Sequence, residues 1–128
     1  MNINDLAGTP NWPLVDFRIW RTWDSGITWA TIQPSRGVFD WSWMDAEVAK
    51  ARLKTQVVVF TLGQTPRWAS SGPDVPSVYG NGLGSPPANN ADWRTFVDAL
   101  ARRYRGTIVA YEVRGVGRLV VGGWGGGV

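Results

Sequence analysis

Two apolar runs of strand length, Gln56–Gly63 (QVVVFTLG) and Thr107–Val113 (TIVAYEV), limit how this chain can fold more than any other feature. Each is nearly continuous in apolar residues rather than alternating with polar ones, a pattern that belongs to strands covered on both faces. Between them lies an amphipathic helix. Trp93, Phe96, Val97, Leu100, Ala101 and Tyr104 recur at i, i+3, i+4, i+7, i+8 and i+11, with Asn90 or Asp92 as the cap and Gly106 as the stop. Strand, helix and strand in that order imply parallel neighbours joined by a right-handed crossover.

A second unit of the same kind precedes it. Val15–Trp23 (VDFRIWRTW) is rich in β-branched and aromatic residues and reads as a strand that Asp24, Ser25 and Gly26 end. Ser42, supported by Asp45, is the expected cap of a helix whose Met44, Val48 and Ala51 share one face. Trp41 and Trp43 flank that cap and are expected to clamp the preceding loop onto the helix. The expected fold class is α/β, a parallel sheet with crossover helices. From Gln64 to about Asn90 the chain carries five prolines and four glycines without periodicity, and a loop that long is functional or disordered. Trp68 and Tyr79 within it argue against plain disorder.

With 128 residues the chain is the size of one ordinary domain. It has no Cys and no His, which excludes thiolate and imidazole nucleophiles, Ser-His-Asp triads, disulfides and the usual zinc sites. Acid–base chemistry falls to carboxylates, and neither a cofactor nor a metal centre is expected. The net charge of +3 raises nucleic acid as a partner, yet only Arg102, Arg103 and Arg105 cluster, at a helix end where they compensate the dipole. No nucleic-acid partner is expected. No apolar run is long enough for a membrane span and no signal peptide is visible, so no membrane partner is expected and localisation stays open. Nine Trp are more than periodicity assigns to a core, and some are expected to face a ligand.

Three ordered motifs carry a family resemblance: WRTWDSGITWATIQPSRGVFDWSWMD, then FTLGQTPRWASS, then DWRTFVDALARRYRGTIVAYEV. Over roughly residues 2–113 the chain resembles the N-terminal half of a retaining glycoside hydrolase of the family 39 group, with its xylosidase and iduronidase members, or of the related family 5. The resemblance implies a partial (β/α)8 TIM barrel, about its first four strands with the first reduced to Met1–Asn4, and a site at the C-terminal strand ends. It implies an oligosaccharide or polysaccharide as partner of the intact parent. In those relatives the strand resembling Tyr111-Glu112-Val113 runs on into Trp-Asn-Glu-Pro, whose Glu is the general acid/base. Here Arg114, Gly115, Val116 and Gly117 stand at those positions, and the later strand that carries the nucleophile is not found. A retaining glycosidase needs two carboxyl groups about 5 Å apart, so no catalytic residue is assigned and the chain is expected to be inactive. Weak carbohydrate binding without hydrolysis is the alternative.

Residues 114–128 form a separate tail of Arg, Gly, Val, Leu and Trp alone, seven of the fifteen being Gly. A GC-rich gene read one base out of frame after the codon for Val113 would give such a tail. A native glycine-rich tail and an assembly error are the rival accounts.

The resemblance also implies site residues. Arg21 matches an arginine that fixes the nucleophile in relatives; pairing with Asp24 is its structural alternative. Trp23 and Asp24, at the strand lip, are substrate-binding candidates, one to stack on a sugar face and the other to accept from hydroxyls. Trp68 is a third, with its ring as platform and its indole N–H free to donate; loop anchoring would look the same in sequence. Glu112 lies about 13 Å below the missing acid/base, too deep to replace it, and needs Arg18 or Arg21 as partner. It supports the site rather than acting in it. Open sheet edges imply self-association.

Overall fold

The computed structural model describes residues 18–23, 25–54 and 56–114. In chain order they form β1 (Ile19–Arg21), α1 (Trp29–Ile32), α2 (Ser42–Leu53), β2 (Val57–Leu62), a 3-10 turn (Arg67–Ala69), α3 (Asn90–Arg103) and β3 (Ile108–Val113). The strands make one parallel sheet in the order β1-β2-β3, as the alternation of strands and helices requires. Trp20 lies opposite Val58, and Thr61 opposite Glu112. The register shifts once, between Val58 and Val59, where the partner steps from Ile108 to Ala110 and leaves Val109 as a bulge residue. The strand expected at Met1–Asn4 and the first residues of the one expected at Val15–Trp23 lie outside the described residues.

The core occupies one face of the sheet. Trp20, Val58, Phe60, Leu62 and Ile108 pack there against Met44, Val48 and Ala51 of α2, and against Phe96, Leu100 and Tyr104 at α3. All eleven are buried, at 8% exposure or less. The expected helix faces are therefore the buried ones. Trp29 of α1 fills the upper core, stacked on Phe96 at 5.4 Å and edge-on to Trp93 and Trp68. Trp41 stacks on Phe39 at 5.2 Å and meets Tyr104 edge-on, which joins the loop before α2 to the end of α3.

The opposite face is not covered by any described element. Ile19 is 52% exposed, Val57 37% and Val109 53%, so neither β2 nor β3 has the burial along both faces expected of it; on this side Thr61 is shut away only beneath the Arg21–Glu112 pair. An apolar run signals that a strand is meant to be covered; it does not say what covers it.

Helix starts differ from expectation by one or two residues. Ser42 is the first residue of α2 rather than its cap; Trp41 holds the cap position without a side-chain cap bond, and Asp40 before it accepts at Oδ1 from the Ser42 backbone N–H at 3.0 Å and from the Ser42 hydroxyl at 2.5 Å. Asn89, not Asn90 or Asp92, caps α3. Its extended backbone turns the side chain onto the Ala91 N–H at 2.8 Å. Gly106 ends that helix region with a φ of +81°, a value costly for any other residue. α1 has only four residues and was not expected; a Thr28/Thr31 capping box holds it. The long loop after β2 is tied leg to leg, Ala88 N–H donating to Ala69 C=O at 2.8 Å and Ser71 N–H to Pro86 C=O at 2.9 Å.

Candidate functional site at the strand ends

Side chains two apart on a strand share a face. Arg21 of β1, Thr61 of β2 and Glu112 of β3 therefore all stand on the uncovered face, toward the C-terminal ends of their strands. Arg21 is in register with Val59 and Glu112 with Thr61, so the bond between them runs diagonally over the middle strand. It is two-pronged: Arg21 Nε donates to Glu112 Oε2 and Arg21 Nη2 to Oε1, both at 2.5 Å. The fork of a guanidinium matches the two oxygens of a carboxylate, which makes this the strongest kind of ion pair. Thr61 Oγ1 donates to Oε2 at 3.1 Å. The Arg21 bond holds the Glu112 carboxyl below the ordinary glutamate range against the opposing pull of burial, and Thr61 and the Arg114 charge add to it.

One step further along the strands lie Trp23, Gly63 and Arg114. Arg114 continues the sheet beyond β3, its N–H donating to Leu62 C=O at 2.8 Å. Its guanidinium lies over the Trp23 ring, 4.8 Å from the centroid, and its Nε is 3.7 Å from Glu112 Oε1. Tyr79, from the tip of the long loop, meets Trp23 edge-on at 5.5 Å. The lip is thus two aromatic rings and a cation above an ion-paired carboxylate.

The structure divides the expected site residues. Arg21, Glu112 and Trp23 come together; Arg21 takes Glu112 as its partner, and Arg18 is not in that contact. Asp24 lies outside the described residues. Trp68 sits apart from this group, against Trp29, and its indole N–H donates to Gln33 C=O at 2.8 Å while Arg36 lies over the ring at 5.0 Å. Its donor and one ring face are in use, as in a loop anchor. Tyr79 was not singled out as a site residue. Its only signal in the sequence was an aromatic side chain in a stretch of Pro, Gly and Ser.

Glu112 is the only acidic residue in the three strands. A second polar cluster lies between the helices, where Asp45 accepts from Arg103 Nε at 3.0 Å, from Arg103 Nη2 at 2.5 Å and from the Tyr104 hydroxyl at 2.7 Å. It borders an open groove of about 310 Å³. The expected arginine cluster is thereby split: Arg103 is held by Asp45, while Arg102 pairs with Asp98 at 2.9 Å within α3. Among the described residues no group of three or more His, Cys, Asp or Glu converges as metal ligands, and no helix is long and apolar enough to cross a membrane. No protein-family model matches the chain, and no curated protein matches it.

Proposed function

We propose that this chain corresponds to the N-terminal part of a retaining glycoside-hydrolase barrel and has no hydrolytic activity of its own. The parallel strands with their crossover helices are compatible with such a partial barrel. The observation that carries the second half of the reading is the state of Glu112. A general acid must keep its proton near neutral pH, which takes a raised pKa. Glu112 is pushed the other way by Arg21, and both its oxygens are already bound. It is an anchored anion that positions its neighbours. The residues after β3 are Arg114, Gly115, Val116 and Gly117, so that stretch offers no carboxylate either. No aryl xyloside or aryl glucoside should be hydrolysed. Turnover that Glu112→Gln abolishes would overturn the reading.

Weak saccharide binding at the lip is a second reading, favoured by Trp23 and Tyr79 standing together at the strand ends. An indole or phenol ring offers an apolar face to the C–H side of a pyranose. Calorimetric titration with xylo- and cello-oligosaccharides tests it. Heat at millimolar ligand supports binding, and no heat either from the chain or from Arg114→Ala, in which the Trp23 ring is cleared, removes it.

A further inference from the structure

We infer that Arg114 is a built-in occupant of the Trp23 platform, so that the lip takes a neutral saccharide only when this side chain moves aside. The inference rests on the saccharide-binding reading above and concerns the control of that same site. Three positions carry it. Trp23 follows β1, Gly63 follows β2 and Arg114 follows β3, and by the two-residue period all three lie on the uncovered face. The outer strands of the sheet are two strand spacings apart, about 9–10 Å. Arg114 crosses that gap because position 63 has no side chain. A Cβ there would stand 3.1 Å from the Arg114 carbonyl oxygen, 3.7 Å from the Arg114 Cβ and 3.6 Å from Trp23 Cζ3.

The crossing ends with the guanidinium over the indole at 4.8 Å. That geometry suits a flat, weakly hydrated cation on an aromatic face, the contact that a sugar's C–H face would also seek. The Arg114 side chain is 49% exposed and its approach to Glu112 is long, at 3.7 Å, since Arg21 already occupies both carboxylate oxygens. Arg114 is held by the ring more than by the carboxylate, and a ligand competes with that one contact. A cation on an indole at such a site biases the closed arrangement by about two- to thirty-fold.

The test is calorimetric titration of the full chain, of Arg114→Ala and of the double variant Trp23→Ala/Arg114→Ala with xylohexaose and cellohexaose. Arg114 is half exposed and follows β3, so its truncation leaves the core intact. The expected result is at least threefold tighter binding by Arg114→Ala, lost again in the double variant. Equal binding by the full chain and Arg114→Ala would overturn the inference and leave the binding reading standing. A gain that survives loss of Trp23 would overturn it too, since the ring would not be the platform. No heat from any of the three would remove the inference and the binding reading together.

Discussion

The two faces of the sheet are held in opposite ways. On the helix side, Trp20, Val58, Phe60, Leu62 and Ile108 are shut away against α2 and α3. On the other side Ile19 and Val57 stay open to solvent, and order comes from one diagonal ion pair and its threonine. Burial of apolar area is non-directional and large, so the helix face sets stability. A forked ion pair is directional and modest in net energy, so the open face sets geometry.

The sharpest way to break the comparison is to hollow out the covered side. Phe60→Ala should cost about 3–5 kcal/mol by urea denaturation, because a fully buried ring leaves a cavity as well as lost transfer energy. A cost under about 1 kcal/mol would mean that the helix face is not the stabilising one. Glu112→Gln should come next, at about 1–3 kcal/mol, since it strips the charge from a bonded and largely buried pair. Its pH dependence has a definite sign. Glu112 titrates lower folded than unfolded, so its contribution is full above the ordinary glutamate range, about 4, and is lost as pH falls through the lower folded value. Denaturation midpoints at neutral and acid pH should therefore converge partly in Glu112→Gln. Asp45, lowered chiefly by its Arg103 bond, and Asp40, lowered by its bonds from Ser42, keep the remainder.

Asn89→Ala removes the α3 cap and should cost about 1 kcal/mol by urea denaturation, while Asn90→Ala, at the exposed neighbouring position, should cost less than about 0.5 kcal/mol. Ile19→Thr is expected to change stability least, within about 0.5 kcal/mol, because the side chain is half in water already. Its effect should show in association instead. Sedimentation of the unsubstituted chain should depend on concentration, because the described residues leave Ile19 and Val57 as exposed apolar side chains on the sheet, and Ile19→Thr with Val57→Thr should reduce that dependence. An unsubstituted chain that stays monomeric would remove self-association as a property of this face.

Legibility in the sequence follows the same division. The strands around Val58 and Tyr111 were readable as strands from their apolar runs, although their two-face burial is not found, and the face of α3 was readable because helical periodicity records burial directly. The pairing of Arg21 with Glu112 was readable in part, since a charge inside a sheet needs a partner and few were on offer. Trp23 and Trp68 were not separable, because one faces the lip and the other a carbonyl of a loop more than thirty positions away, and local pattern holds no trace of that. The bond from Asp40 at the start of α2 and the cap at Asn89 were displaced from expectation for a similar reason. Neighbouring Asp, Ser and Asn residues compete for the same backbone groups, and only the dihedral angles decide among them.

The bulge at Val109 has a consequence for how β3 tolerates change. Simple alternation would put Ile108, Ala110 and Glu112 on a single side, yet Ile108 belongs to the core while Glu112 meets Arg21. Val109 acts as a spacer that resets the phase of the strand. Ironing the bulge flat while keeping its residue would turn Glu112 inward among Phe60 and Leu100 and swing Tyr111 out. Deleting Val109 would keep every later side chain on its present side. In this strand the number of residues carries as much information as their kind.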